Sequence, residues 1–575
     1  MTPASRVKPG VICLGGNKVL MQLGVAGAST TILLGACLHW ALLLLLLARP
    51  AQPCPVGCDC FSHEMFCSDT KLAAIPPDIP PYVTNIVFVE SAFTTLGTRT
   101  FSASPSLTKV VFLNTQLHHL EPETFGGLSK LEDLEITGSA FSSLSARMFS
   151  HLGSLGKFTF SFNKLKALPD DLFCHMSALE VLQLEGNQLQ TLPERLFQPL
   201  RHLKSLNLGQ NLLMRLPKGL FHPLVSLRSL RLSNNALSHL PPALFDGLDN
   251  LQELFLDGNA ISELAPAMFS RLFRLETLLL QHNALRHLPP ALFSAQVNLT
   301  FLDLQYNTLR TLPPGLFAHT PHLDSLFLSH NQLDALAEDT FANLSSLTFL
   351  KLSHNVITHL PASIFRDLQK LGKLYLDSNN LTTLHPALFQ NLSNMELLSL
   401  SKNQLTTLPK GIFDTSYNLF HLALDGNPWQ CDCHLAYLFQ WLRQYSYQFF
   451  NIHTYCAGPA YLRGQIVPTL KEEQLVCPVL WDRWRFLAPG QDDRDPRGGW
   501  DLTMEGKDVQ SRCTYSNPEG TVVLACDKDH CRWLQVQLSP RQGSPGLAYN
   551  ASQEWDLRSS CGSVRVTVSI EGLGP

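Results

Sequence analysis

Histidine and cysteine are the residues whose types could support catalysis or metal binding in this chain of 575 residues. His63-Glu64 begins a zinc-hydrolase motif, but Cys67 stands where H-E-x-x-H needs its second histidine. There is no G-x-S-x-G turn, phosphate-binding loop or dinucleotide glycine pattern. Many of the 21 histidines recur in phrases such as HLPP and SHN, which indicates a repeated surface position. The sequence therefore predicts a protein that is not an enzyme and uses no cofactor or metal.

Twelve of the cysteines fall into three groups of four, which is typical of disulfides in a secreted chain. The groups are Cys54, Cys58, Cys60 and Cys67; Cys431, Cys433, Cys456 and Cys477; and Cys513, Cys526, Cys531 and Cys561. Four cysteines allow three pairings, and spacing alone does not choose among them. Members of a C-x-C pair are not expected to join each other, because the ring would be strained. Zinc binding is the alternative, which a secreted chain disfavours.

A repeat of 24 residues organises most of the chain. Asparagine recurs at this step at positions 163, 187, 211, 235, 259, 283, 307, 331, 355, 379, 403 and 427, and Ser91, Thr115 and Ser139 continue the register upstream. A phenylalanine follows each position by ten residues, from Phe101 to Phe413. The pattern L-x-x-L-x-L-x-x-N-x-L at this period predicts a leucine-rich repeat solenoid, an α/β-type horseshoe with a parallel β-sheet on its concave face.

Residues 251–264, LQELFLDGNAISEL, indicate how one repeat folds. Leu254 and Leu256 alternate with polar or aromatic residues, so they predict a short strand with inward leucines. Asn259 falls where the chain turns, and its amide can replace backbone hydrogen bonds between adjacent turns. The phenylalanines are expected to stack as a spine on the outer side. Cys174 directly follows spine residue Phe173, so we expect a buried free thiol, with an intermolecular disulfide as the alternative.

The N-terminal segment predicts secretion. The apolar run 32–48 follows Arg6, Lys8 and Lys18, which indicates a signal peptide cleaved near 51–53; a retained signal anchor is the alternative, and Met21 is a second possible start. No second spanning run or lipid-anchor tail follows, so we expect a protein free in extracellular fluid. The net charge of −4 and the absence of a basic stripe argue against nucleic-acid binding.

The C-terminal part differs from the repeats. PGQDDRDPRGG (489–499) has the composition of a linker, and 521–526, 532–538 and 563–570 alternate as strands do. The predicted domains are a signal peptide with an extended lead (1–53), an N-terminal cysteine cap (54–83), the repeat array (84–426), a C-terminal cysteine cap (427–478), a linker (479–510) and a small disulfide-held β unit (511–575).

Two sets of residues are candidates for surface functions. N-x-S/T sequons predict glycans at Asn298, Asn343, Asn380, Asn391 and Asn550. Side chains between the inward leucines face the inner curve, and there the apolar residues Phe255, Leu279, Phe301, Phe327, Phe349 and Tyr375 cluster. Exposed aromatic clusters commonly mark protein interfaces, so these six residues are candidates for partner binding. The alternative is that they only stack on each other as a lining.

Two motifs carry a resemblance to a known family. CPVGCDC with Cys67, and NPWQCDCHLAYLFQWL (427–442) with Cys456 and Cys477, resemble the N- and C-terminal caps of extracellular leucine-rich repeat proteins. The resemblance implies the pairs Cys54–Cys60, Cys58–Cys67, Cys431–Cys456 and Cys433–Cys477. With CTYSNPEGTVVLACD (513–527), the mature chain resembles the regulatory subunits of carboxypeptidase N.

That resemblance implies a plasma glycoprotein that binds and stabilises the catalytic subunit of a zinc carboxypeptidase, which removes C-terminal Lys or Arg from circulating peptides. It further implies an assembly of two catalytic and two regulatory chains, with the metal and the catalysis belonging to the partner. The rival interpretation is a secreted or shed adhesion protein, that is, a ligand-binding leucine-rich repeat glycoprotein.

Overall fold

The computed structural model describes residues 54–445 and 454–477, and beyond them the backbone of five further strands. The strands of the first part are β1 (Cys58–Phe61), β2 (Glu64–Cys67), β3 (Asn85–Val89), β4 (Thr95–Leu96), β5 (Lys109–Leu113), β6 (His119–Leu120), β7 (Asp133–Thr137) and β8 (Lys157–Thr159). Three-residue strands follow at β9 (Val181–Gln183), β10 (Ser205–Asn207), β11 (Ser229–Arg231), β12 (Glu253–Phe255), β13 (Thr277–Leu279), β14 (Phe301–Asp303), β15 (Ser325–Phe327), β16 (Phe349–Lys351), β17 (Lys373–Tyr375), β18 (Leu397–Ser399) and β19 (His421–Ala423).

These strands, apart from the outlying pair β4 and β6, form one 17-stranded sheet. Each repeat strand pairs in parallel with the next at a shift of one repeat, so that Leu230, Leu254 and Leu278 lie side by side. The middle leucine of each strand is buried because it points into the solenoid, whereas its two neighbours point outward from the concave face. The predicted parallel-sheet solenoid is therefore confirmed.

The asparagine at the end of each strand joins successive repeats. The Nδ2 group of Asn259 donates to the carbonyl oxygens of Leu232 and Leu256, both at 3.0 Å, and to that of Asp257 at 3.2 Å. Its Oδ1 accepts the Leu237 N–H at 3.1 Å. One side chain thus satisfies groups of its own turn and of the turn before it, which explains how a polar residue is retained inside an apolar run.

The outer side of the repeats is packed by the phenylalanine spine. Neighbouring spine rings are nearly parallel, with centroids 6.2 Å apart for Phe245–Phe269 and 6.4 Å apart for Phe269–Phe293. Strands on the inner side of a sheet are spaced by only about 4.8 Å. Because each repeat is wider at the spine than at the strand, the array bends with its strands on the inside.

Both ends of the array are covered by disulfide-linked segments. At the N-terminal end, β1 pairs antiparallel with β2, and β2 pairs in parallel with β3. At the C-terminal end lie β20 (Trp429–Gln430), η2 (Cys433–Leu435), α1 (Ala436–Tyr445), β21 (Cys456–Gly458), η3 (Ala460–Leu462), η4 (Val467–Thr469) and η5 (Glu472–Gln474); a further turn, η1 (Ala146–Met148), belongs to a repeat. Trp441 of α1 packs on the last spine ring, Phe413, at 5.0 Å.

The disulfides of these segments are Cys58–Cys67, Cys431–Cys456 and Cys433–Cys477. They are three of the four pairs that the resemblance to capped leucine-rich repeat proteins implies. Cys54 and Cys60 are also disulfide-bonded. Each cap thus ties the chain down where the stacked leucines and phenylalanines would otherwise face water.

Two expectations need correction. Cys174 is a free cysteine but it is exposed, not buried, because Phe173 points into the spine and the following residue points outward. The chain beyond the C-terminal cap contains β22 (Trp500–Glu505), β23 (Cys513–Ser516), β24 (Val523–Cys526), β25 (Trp533–Pro540) and β26 (Ala551–Asp556). Strand β22 pairs antiparallel with β25; it begins directly after the linker-like segment 489–499 and lies inside the range 479–510 that was assigned to the linker.

The β-rich character of the tail agrees with the alternation seen in the sequence. Strands β24 and β25 overlap the predicted segments 521–526 and 532–538. Cys513 and Cys526 occupy facing positions of the antiparallel pair β23–β24. The predicted strand 563–570, with Cys531, Cys561 and the sequon at Asn550, lies outside the described residues.

Candidate functional site

The concave sheet presents two outward-facing rows of side chains, one at each end of the three-residue strands. In-register pairing places Phe327 beside Asp303 and Lys351, and Tyr375 beside Lys351 and Ser399. The other row carries, in order, Thr277, Phe301, Ser325, Phe349 and Lys373. Aromatic residues therefore alternate between the two rows from β14 to β17.

Because the rings alternate between the two rows, they form a zigzag line across four strands. This line is named here the aromatic strip and consists of Phe301, Phe327, Phe349 and Tyr375. The ring centroids are 5.1, 4.9 and 5.4 Å apart along the strip, with interplanar angles of 32–38°. All four side chains are half-buried. The rings contact each other and still present area to solvent, so mutual stacking and an available surface coexist.

Phe255 and Leu279 stand apart from this strip. The Arg231 guanidinium lies over the Phe255 ring, 4.2 Å from its centroid, which covers that ring with a cation–π contact. Leu279 pairs in register with Phe255 and Asp303 on the half-buried face. Of the six residues that the sequence groups together, four are thus linked through ring contacts and two are their neighbours.

A second row of rings lies along the rim of the sheet, one residue before each ladder asparagine. The rim stack comprises His282, Tyr306, His330 and His354. Successive centroids are 4.2 Å apart and the planes are within 11° of parallel. Each of the four residues has a left-handed backbone with φ of 53–55°, so each side chain leaves the chain in the same direction and leans over the next repeat.

The surroundings of His330 in the rim stack disfavour positive charge on its ring. Burial lowers the pKa of His330 most, and the charges of His354 and Lys351 lower it further. Asp377 acts in the opposite sense, and His282 adds to the lowering. Two adjacent imidazolium rings at 4.2 Å would repel by about 1 kcal/mol in water and by about 4 kcal/mol at an effective dielectric constant of 20. These surroundings therefore favour the neutral form of the His330 imidazole.

Two titratable groups of the concave face are shifted by burial. Burial raises the pKa of Asp303, although Gln305 opposes the shift by donating its backbone N–H to Asp303 Oδ1 at 2.9 Å. Burial and the nearby Asp377 raise the pKa of the Tyr375 hydroxyl. Both shifts fit a surface from which water is partly excluded, as expected where side chains line an inner curve.

Four of the sequon asparagines lie among the described residues, outside the strands. Asn298, Asn343 and Asn391 are exposed on the segments that precede a strand, where Asn298 Nδ2 donates to the Phe273 carbonyl at 2.8 Å. Asn380 is exposed directly after ladder residue Asn379. Glycans at Asn343 and Asn391 would project from the outer return segments, one at Asn298 would project near the start of β14, and one at Asn380 would project near the rim.

The remaining candidates for chemistry are engaged elsewhere. His63 Nδ1 lies 2.9 Å from the Tyr82 carbonyl oxygen, and the neighbouring Glu64 accepts from Asn85. Within the described ranges, one group of three possible metal ligands occurs, at 432–434, and its Cys433 sulfur is held in the disulfide with Cys477. None of the helices in those ranges has the length and apolar character that crossing a bilayer requires.

The sequence profile of the leucine rich repeat family matches the array in overlapping stretches. The matched residues are 105–165, 157–213, 179–237, 201–261, 225–285, 273–333, 321–381 and 369–428. Together they cover more than half of the chain. Each match is longer than two 24-residue repeats, so it contains strand, ladder and spine positions.

Two similar curated proteins bear the name carboxypeptidase N subunit 2. The human protein is 68% identical over 149 residues, which are 26% of this chain and 27% of that protein. The mouse protein is 65% identical over 151 residues, which are 26% of this chain and 28% of that protein. The matched stretch therefore spans little more than a quarter of the length of either relative.

Solved structures share the fold more broadly. The crystal structure of a TLR13–ssRNA13 complex contains a chain with a TM-score of 0.60 and 28% identity, covering 68% of this chain and 57% of that one. The glycosylated Toll–Spatzle complex of Drosophila gives a TM-score of 0.55 at 20% identity, covering 83% and 79%. At that identity the Toll likeness concerns the fold alone.

Proposed function

Since this chain belongs to the leucine-rich repeat family, we propose that it is a non-catalytic carrier subunit that binds and stabilises a secreted zinc carboxypeptidase. The partner removes C-terminal Lys or Arg from circulating peptides, and it supplies the zinc and the catalytic groups. The proposed assembly contains two catalytic and two carrier chains and circulates in plasma.

The similarity to proteins named carboxypeptidase N subunit 2 is the observation that carries this proposal. The word subunit in that name states that the relative is part of an assembly. An identity of 68% over 149 residues is far above the level at which only a fold is shared. Because the match covers about a quarter of the relative, the partner and its activity remain part of the proposal.

The concave face supports a binding role. The aromatic strip gives four half-buried rings on a rigid parallel sheet, and rigid aromatic side chains lose little conformational entropy when a partner covers them. The array offers this surface without requiring a conformational change. Association there would bury the ring area that still faces water and would add hydrophobic stabilisation.

Secretion and glycosylation belong to the same proposal. Disulfides at both ends of the array are typical of proteins that fold in an oxidising compartment. The exposed Asn343 and Asn391 on the outer segments are accessible to glycosylation. A sugar-coated carrier of this size would slow renal loss of a smaller bound peptidase.

The second candidate is a secreted or shed glycoprotein that binds an adhesion or signalling ligand. The observation in its favour is the likeness to the chain of the TLR13–ssRNA13 complex, at a TM-score of 0.60 and 28% identity. Both candidates use the repeat surface for binding, so the identity of the partner separates them.

The direct test is to purify the native protein under mild conditions and to assay basic-residue carboxypeptidase activity before and after dissociation. We expect the activity to leave with a smaller chain and to decay faster once the carrier is removed. Activity that remains with the isolated carrier contradicts the non-catalytic role. If no peptidase co-purifies, the ligand-binding candidate replaces this one.

The surface is tested with Phe327→Ala combined with Tyr375→Ala. Removing two rings of the strip is expected to weaken binding of the purified catalytic subunit, measured by biolayer interferometry, without lowering secretion. The matched control is Phe273→Ala combined with Tyr417→Ala, because those side chains are 47% and 85% exposed outside the strip. Equal affinity of both double variants and the unaltered chain would remove the strip from the interface.

A further inference from the structure

Cationic side chains on the N-terminal half of the concave sheet are neutralised or stacked. Lys109 and Lys157 both contact Asp133, at 3.3 and 3.5 Å. Arg231 lies over the Phe255 ring at 4.2 Å. These cations therefore interact with side chains of the sheet itself and offer little net charge to a partner.

The aromatic strip differs in this respect. Lys351 lies between Phe327 and Tyr375 in one row, and Lys373 is paired with Phe349 in the other. Within the described residues, neither lysine forms an ion pair with a carboxylate. The nearby Asp377 carboxylate accepts the Ser353 hydroxyl at 2.6 Å. The strip is thus accompanied by two lysines without an ion pair, one in each row, and the carboxylates of Asp303, Asp377 and Glu396 lie on the same face.

A cavity of about 430 Å³ opens beside the strip at the start of these strands. Its lining includes the residues Phe349, Lys370, Gly372 and Lys373. Glu396 and the amides of Asn394 and Asn418 complete the polar part of the lining. An apolar wall beside two ammonium groups is complementary to a side chain that carries both apolar area and a carboxylate nearby.

We propose that this lysine-flanked strip with its cavity binds an acidic segment of the partner protein, in which an apolar side chain stands between carboxylates. The inference rests on the proposed function and adds the chemistry of the segment that the carrier recognises. The apolar side chain packs on Phe349 and Tyr375, and the carboxylates pair with Lys351 and Lys373. The two lysines without an ion pair favour carboxylates at these two positions of the segment over neutral or basic side chains.

The physical consequence is a salt-dependent association rate. Charges at an interface steer diffusional encounter, and dissolved ions screen this steering beyond a Debye length of about 10 Å at 0.1 M salt. Ring packing is much less sensitive to salt. The two parts of the proposed contact therefore respond differently to ionic strength and can be measured separately.

The test uses the full-length secreted chain and the purified catalytic subunit of the carboxypeptidase. We expect Lys351→Met with Lys373→Met to lower the association rate about tenfold at about 50 mM salt and to flatten its dependence on ionic strength. Lys351→Glu with Lys373→Glu should lower it further. The control is Lys218→Glu with Lys410→Glu, which makes the same charge change on exposed outer segments and should alter the rate less than about twofold.

Thermal midpoints and secretion levels of all variants establish that folding is retained. If the unaltered chain binds the peptidase and the lysine variants bind equally fast, the inference fails while the proposed function stands. If the unaltered chain does not bind, both fail. If the lysine variants change only the self-association of the carrier, measured by light scattering, the strip binds a second copy and the inference is overturned.

Discussion

Replacing one ladder asparagine by alanine should destabilise several repeats at once. Asn355 Nδ2 donates to the carbonyl oxygens of Leu328 and Leu352, both at 3.0 Å, and its Oδ1 accepts the Leu333 N–H at 3.0 Å. A further contact to the Ser353 carbonyl is long, at 3.4 Å. The residue is 5% exposed, so water does not replace these bonds.

The magnitude follows from which groups retain partners after Asn355→Ala. The Leu328 carbonyl keeps Asn331 Nδ2 at 3.1 Å, and the Leu352 carbonyl keeps Asn379 Nδ2 at 3.0 Å. The Leu333 N–H has no second acceptor among the described residues. Three well-formed bonds at about 1 kcal/mol each, with one stranded buried donor, give a loss of about 3–5 kcal/mol.

Two companion variants sharpen this expectation. Asn355→Asp keeps the acceptor for Leu333 N–H but directs a carboxylate at two carbonyl oxygens, which raises its pKa. Its instability should therefore be greatest at neutral pH and decrease as the pH falls and the carboxyl takes up a proton. Asn418→Ala removes one exposed bond, to the Ser393 carbonyl at 2.9 Å, and should cost less than about 1 kcal/mol.

The assay is urea unfolding together with hydrogen exchange of the Leu333 amide. Repeat arrays do not always unfold in one step, so the local exchange rate is the more direct measure. Asn355→Ala should increase exchange at Leu333 and in the two flanking repeats. A loss of stability below about 1 kcal/mol with unchanged exchange would refute the assignment of the ladder as the main polar connection between repeats.

Four further expectations test other parts of the structure. Asp303→Asn should raise the thermal midpoint at pH 7 and have less effect near pH 4. The reason is that burial raises the pKa of Asp303, so the folded state takes up the proton first as the pH falls. Equal gains at both pH values would contradict this expectation. Gln296→Leu should stabilise the chain by about 1 kcal/mol, because the fully buried Gln296 leaves its Oε1 without a partner among the described residues. Leucine also occupies the equivalent position in most other repeats. Calorimetry measures this change, and a lower thermal midpoint would contradict it. The C2 proton of His330 should titrate in NMR below the ordinary histidine pKa of about 6.5, because of burial and its neighbours His354 and Lys351, and the signal is assigned by His330→Gln. Cys174 should react with a thiol reagent in the folded protein and Cys174→Ser should abolish the reaction, whereas protection until unfolding would contradict its exposure.

The features that repeat every 24 residues could be predicted from the sequence. Period-2 leucines predicted the strands, and the spacing of Asn259 and its equivalents predicted a bonded ladder. The clustering of Phe301, Phe327 and Phe349 could also be anticipated, because register fixes which strand positions share a face. The diagonal contacts between them depend on ring orientation, which spacing does not determine.

The features that the sequence did not predict depend on backbone conformation or on a comparison of equivalent positions in successive repeats. The residue type of His330 indicates its left-handed backbone, with φ of 55°, only weakly, because histidine is enriched at positive φ but such conformations remain uncommon outside glycine. Cys174 could have been recognised as exposed, because its register equivalents include Gln198, His222 and Arg366. The strand β22 was missed because the charged and proline-containing segment before it dominated the composition.

The antiparallel hairpin of β1 and β2 limits the end-to-end addition of one solenoid to another. Inside the array every coil offers its neighbour the same edge, a geometry that by itself would permit chains to add end to end as fibres. The hairpin replaces that edge with a four-residue strand of opposite polarity, bounded by cystine. At the other tip the Trp441 indole occupies the place where another phenylalanine ring would stack. Neither tip repeats the edge that one coil presents to the next within the array, which disfavours end-to-end addition of further chains.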